Sequence, residues 1–185
     1  MKKSKKKTKT QPEEQVQTQQ ARENHADFLR ASFTRRLGAL MYDALVAMAV
    51  YALAHFIGFI VVALLAQLNP SFCSDNTDIQ RCIITSDVYS GYLIFAVCFF
   101  FIWFWTHGGQ TLGMRAWRLK VQRMNGASIT TLQAVIRLCT GFFGLGNIWL
   151  LSKKSEGMSL QDRMSGSEIV VLSPEANKIK NWHQL

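Results

Sequence analysis

Two stretches of this chain contain almost nothing polar. Residues 37–68 carry one formal charge, Asp43, and residues 88–106, VYSGYLIFAVCFFFIWFWT, carry none. The second run approaches the roughly 20 residues that cross a ~30 Å hydrocarbon core as a helix. The first, drawn as one helix, measures about 48 Å, so it tilts or projects beyond the hydrocarbon at one end. Two such lengths are hard to bury in a water-soluble chain of 185 residues. The pattern therefore predicts transmembrane helices over about 37–66 and 88–106. A cleaved signal peptide fits poorly, because the first run follows a long polar tail and far exceeds an h-region of about 7–15 residues.

A third apolar stretch, ITTLQAVIRLCTGFFGLGNIWLL over 129–151, reads differently. Arg137 sits near its middle, Gly141, Gly144 and Gly146 interrupt it, and Lys153 and Lys154 follow. Two short helices, about 129–142 and 147–152, are expected to meet at the glycines as a re-entrant or interfacial hairpin over 129–152; a third span is the alternative. Broken backbone at membrane depth is tolerated where protein covers it or a wet cavity lies beside it. Strand signals flank this unit. AWRLKVQRM (116–124) alternates Trp117, Leu119 and Val121 ahead of Asn125-Gly126, a tight-turn pair. SEIVVL (167–172) is short, β-branched and bounded by Pro174. The expected fold is an all-α membrane protein with two transmembrane helices, the hairpin and a small cytoplasmic β ribbon. It divides into a basic cytoplasmic tail (1–29, disordered by its composition), a membrane domain (30–172) and a polar C-terminal tail (173–185).

Charge sets the orientation. The net charge is +9, and ten of the 21 Lys and Arg lie before residue 37, six of them in KKSKKKTK. These lysines suit anionic lipid head groups, at about 1 kcal/mol each near the surface; a solvated tail that only fixes topology suits them equally. No aromatics interleave with the lysines, so nucleic acid is not an expected partner. In FLRASFTRR (28–36), Phe28, Leu29 and Phe33 face the interface of an amphipathic lead-in, while Arg30, Arg35 and Arg36 meet head groups. The 69–87 loop holds three acids and Arg81; the 107–128 loop holds Arg115, Arg118, Lys120 and Arg123 and no acid. The positive-inside rule places the N-terminus and 107–128 in the cytoplasm and 69–87 outside. Cys98 and Cys139 lie in apolar segments, whereas Cys73 and Cys82 share the outer loop and are disulfide candidates in an oxidising compartment.

Asp43 is the residue that needs explaining. A charged Asp at the bilayer centre costs roughly 2.5–3.5 kcal/mol on insertion scales. A proton, a cation from elsewhere in the chain or a wet cavity would neutralise it. Arg36 lies within about 20° of the same helix face, but about 10 Å away along the axis. Arg137 is the expected counter-charge, then Arg115 and Arg118; such a pair would equally pin two helices permanently. His55, about 120° round the helix from Asp43, reads as a packing histidine ahead of a proton relay. In THGGQTLGMR (106–115), the amides of Gly108 and Gly109 with Arg115 suit a phosphate head group or the Asp162 carboxylate; a helix stop and glycine turn is the plainer alternative. Asp162, in QDRMSG, is expected to cap a helix or to pair with Arg36. No nucleotide-binding fingerprint, metal-spaced cluster or nucleophile-base pattern appears, so neither enzymatic activity nor a metal or cofactor is expected.

RRLGALMYD, GGQTLGMRAWRLKVQRMNG and SLQDRMSG, in that order, resemble the RDD family of small prokaryotic membrane proteins. The resemblance covers roughly 30–172. It identifies Arg36, Asp43 and Asp162 as the Arg and two Asp that name the family, with Met114 where Lys is usual and with Met164 and Ser165 for Leu and Ala. It implies a multi-pass protein of the bacterial inner membrane and transport of some ligand, with cation/proton exchange as the suggested activity. Two functions follow. In the first, Asp43 binds an ion or proton, and Arg36, Arg137 and Asp162 set its charge state. Two spans are too few to enclose a pathway, so this requires a homo-oligomer, packed through Ala44, Ala47, Ala54 and Gly58. In the second, the protein is a non-transporting adaptor or assembly factor and the same charges form a structural clamp.

Overall fold

The computed structural model describes residues 28–69, 79–151, 157–174 and 176–177. The basic tail before Phe28, Cys73, Lys153 and Lys154 lie outside the described residues. Two long apolar helices dominate, α1 (Phe33–Leu68) and α3 (Asp87–His107), and both are long and apolar enough to cross a membrane. At 36 residues α1 extends about 54 Å. It ends at Asn69, which is extended (φ −137°, ψ 97°) as a residue before proline must be. A short helix, α2 (Ile79–Ile84), precedes α3. Ser86 caps α3 by accepting from the Tyr89 amide, Asp87 adds a favourable charge in its first turn, and Gly108 ends it.

The two helices pack where α1 is thinnest. A Cβ at Gly58 would lie 2.8 Å from the Tyr89 ring, and Ala54 is buried beside it. Tyr89 Oη hydrogen-bonds His55 Nδ1 (3.0 Å) and donates to the His55 carbonyl (2.9 Å), and Tyr92 Oη donates to the Ala54 carbonyl. His55 is thus an interhelical packing residue. Ala54 and Gly58, expected to serve an oligomer, are consumed inside the protomer, because two aromatic rings need the space that small residues leave. Cys82 is disulfide-bonded, while Cys98 and Cys139 carry free thiols.

After α3 the chain turns through Gly108 and Gly109 into α4 (Leu112–Ala116) and then β1 (Leu119–Arg123). β1 pairs antiparallel with β2 (Ser167–Val171), Val121 opposite Ile169, so the expected ribbon is present. Gly126 (φ +76°) closes the turn that follows β1. Residues 28–31 depart from the expected interfacial lead-in. They form a short third rung: the Ala31 amide donates to the Ile169 carbonyl and the Val171 amide to the Leu29 carbonyl. The exposed edge of β2 satisfies its backbone this way. Asn177, in the expected polar tail, also docks: Gln110 Nε2 donates to its side chain, and it donates to the Arg115 carbonyl.

The 129–151 segment forms α5 (Thr131–Gly141) and then a 3₁₀ helix (Phe142–Leu151). Neither reaches spanning length, and the break falls at Gly141. A last helix, α6 (Leu160–Ser165), leads into β2 through Gly166 in the left-handed region. α5 packs on α3 and α6, and the 3₁₀ helix packs on α1.

Candidate functional site

The polar centre of the molecule is built on α6. SLQD is a capping box: Ser159 Oγ accepts from the Asp162 amide, and the Asp162 carboxylate accepts from the Ser159 amide (3.0 Å). That geometry fixes the carboxylate. Arg36 Nη1, from the first turn of α1, donates to Oδ2 (2.5 Å) and to Ser159 Oγ (3.2 Å), while its Nε donates to the Ala31 carbonyl. Arg137 Nη1, from α5, donates to Oδ1 (2.8 Å) and to Ser167 Oγ. All three charged side chains are at most 2% exposed. The Arg137 guanidinium also stands 5.9 Å from the Trp105 ring centroid, a cation–π contact to α3. One carboxylate therefore joins α1, α5, α6 and the sheet, and through Arg137 also α3. Burial pushes the Asp162 carboxyl up, but the Arg137 and Arg36 charges and the Arg36 and Ser159 hydrogen bonds outweigh it and hold it below the usual carboxylate range.

Asp43 stands apart from this cluster. It is buried at 6% exposure, but its partners are neutral: Thr111 Oγ1 donates to Oδ2 and the Gly113 amide to Oδ1 (2.8 Å). The expected counter-charge, Arg137, is committed to Asp162. Thr111 also caps α4, accepting from the Met114 amide. Gly113 is obligatory here, because a Cβ would strike the Ala39 carbonyl and lie 2.7 Å from the Asp43 carboxyl. The GQTLGMR loop does hold a carboxylate, but that of Asp43 rather than that of Asp162.

Gly108 and Gly109 form the turn that leads out of α3. Gly108 ends α3, its amide bonded to the Phe104 carbonyl. Gly109 takes φ +67°, and its carbonyl accepts from the Val121 amide. Both are buried, as is the loop through Thr111. The glycine-turn alternative describes them. The Arg115 carbonyl receives Asn177 and the Arg118 amide.

The site contains residues that charge reasoning did not single out: Thr111 and Gly113 around Asp43, and Ser159 and Ser167 around the arginines. Ser159 was legible, since Ser three residues before Asp is a capping pattern. Thr111 and Gly113 lie in the GGQTLGMR stretch that carries the family resemblance, whereas Ser167 carries no signal until the chain is folded. Gln161 extends the network: its Nε2 donates to Asn147 Oδ1 of the 3₁₀ helix (3.1 Å). Lys120 is fully buried in β1, and burial lowers its amine to about 8.

A model of the RDD family matches residues 30–166 of this chain. The chain belongs to the RDD family. No curated protein and no solved structure matches it. The matched region begins at the strand rung that holds Arg30 and ends at Gly166, so it takes in both carboxylate sites and every residue that binds them except Ser167. With its two apolar helices, this RDD chain is a membrane protein, and its Arg and two Asp occupy two separate junctions between α1 and the rest of the fold.

Proposed function

We propose that this RDD protein is a non-enzymatic membrane adaptor or assembly factor of the bacterial inner membrane, whose charged residues lock a small cytoplasmic module onto its membrane helices. One observation carries this reading: the Asp162 carboxylate is already shared between Arg36 and Arg137 and held by a capping box. A buried carboxylate that accepts from two guanidiniums and a backbone amide is suited to holding helices together rather than to exchanging ions. The charge asymmetry of the loops supports a cytoplasmic N-terminus, with β1, β2 and α4 on the same side. The surface offered to a partner there includes the exposed turn at Met124 and Asn125. Site-specific photo-crosslinking from Asn125 in native membranes tests the reading. A discrete cross-linked species, absent when the probe is placed at Leu53 in α1, is the expected result; no species above background opposes it.

The second reading, transport by a homo-oligomer, draws on Asp43. Among the described residues this carboxylate meets only a hydroxyl and an amide, so a proton or a small cation remains a fitting counter-charge. Flux in proteoliposomes separates the two readings. Proton-coupled cation flux that is lost in Asp43→Asn and kept when residues 1–27 are deleted establishes transport. Absence of flux under sodium, potassium and proton gradients, with the protein folded, leaves the adaptor.

A further inference from the structure

The second half of the membrane domain is folded inside out. In α5 the buried side chains include Arg137, with Gln133 turned to the Ser165 carbonyl, while Leu132, Val135 and Cys139 are exposed at successive i+3 and i+4 positions. In the 3₁₀ helix Asn147 is buried while Ile148, Trp149 and Leu151 are exposed. In α6 Gln161, Asp162 and Ser165 are buried while Leu160, Met164 and the charged Arg163 are exposed, so its outer face is apolar with one base whose long stem lets the charge snorkel to head groups. Three successive elements thus share one inverted polarity. A water-soluble amphipathic helix does the reverse, turning its apolar stripe inward.

We infer that α5, the 3₁₀ helix and α6 form a lipid-immersed collar whose exposed apolar face takes hydrocarbon chains of one leaflet as its partner, with the Arg36–Asp162–Arg137 cluster enclosed beneath it. The inference deepens the proposed function and rests on its premise that α1 and α3 cross the bilayer. Three observations point to lipid as the occupant. The collar is packed against both long helices, whose own apolar side chains are exposed over most of their length, so the apolar surface runs on from spans to collar. Its two longer helical pieces, 11 and 10 residues long, give about 16 Å and 20 Å of helix, enough to enter one leaflet and too short to cross. Its broken backbone is covered on the inner side, as membrane depth requires: Gln161 lies against Gly141 and Gly146 and bonds Asn147.

Cys139 is a built-in reporter, being a free thiol on the outer face of α5. A nitroxide is attached to it in Cys98→Ala protein reconstituted into phosphatidylethanolamine/phosphatidylglycerol vesicles. Collisions with oxygen and with a water-soluble nickel chelate are then measured. Labels at Leu53→Cys and Asn125→Cys mark the hydrocarbon and the aqueous phase, and Met164→Cys reports independently from α6. The expected result is oxygen accessibility at 139 and 164 severalfold above chelate accessibility, as at position 53. Chelate accessibility at 139 and 164 matching that at 125, with position 53 still in hydrocarbon, overturns the collar alone. Protection from both reagents with spin–spin broadening overturns it in favour of a second copy. Aqueous behaviour at position 53 as well removes the integral-membrane premise itself.

Discussion

Arg36 and Asp162, 126 residues apart in sequence, form a fully buried ion pair with Nη1 2.5 Å from Oδ2. It ties the N-terminal end of α1 to α6, the last helix of the matched region. Removing one partner from a buried pair costs more than the pair contributes, because the other charge is left uncompensated.

Asp162→Asn is therefore expected to destabilise the protein by about 3–5 kcal/mol, since two buried guanidinium groups lose the counter-charge they share. Thermal unfolding in detergent, followed by intrinsic fluorescence, measures it. Because Asp162 is held below the usual carboxylate range, its contribution is present at neutral pH and is lost as pH falls through that lowered value. The acid limb of the unfolding midpoint should consequently flatten in the Asn variant.

Ser159→Ala removes the cap of α6 and one acceptor of Arg36 together. A loss of about 1–2 kcal/mol is expected. The effect should be largely absent when Ser159→Ala is placed in the Asp162→Asn background, since both residues belong to one network. A double-mutant cycle on the unfolding midpoints checks this.

Gly113→Ala brings a methyl group against the Ala39 carbonyl and the Asp43 carboxyl. Overpacking of this kind costs about 1–3 kcal/mol. Thr111→Val leaves Asp43 Oδ2 without its donor and uncaps α4, and it should also cost about 1–3 kcal/mol. If both are as stable as wild type in detergent melts, the Asp43 junction does not hold α4 to α1.

Lys120 gives an alkaline signature. Its folded value, about 8, lies below the ordinary 10.5. Between these values the unfolded chain binds more protons than the folded one, so stability rises with pH across that window. The gain is of order 1–3 kcal/mol. Lys120→Met should abolish this rise and be the more stable protein at pH 7. An unchanged pH profile would contradict the assignment.

How much of this could be read beforehand depends on the range of the interactions. Hydrophobic length determined α1 and α3 to within a few residues, because crossing hydrocarbon constrains a segment by itself. Alternation and Asn125-Gly126 determined the ribbon, and the glycines after Cys139 determined that α5 would stop short. Capping is equally local, and the expectation that Asp162 caps a helix is met at the start of α6, where Asp162 also pairs with Arg36. The partners of the charges were a different matter. Sequence marked Arg36, Asp43, Arg137 and Asp162 as charges needing compensation, but which base meets which acid depends on how α5 and α6 approach α1. Only the folded chain decided that Asp162 takes both arginines and that Asp43 is satisfied by Thr111 and an amide exposed at Gly113. A backbone donor has no letter in the sequence, so no reading of side chains could have found it.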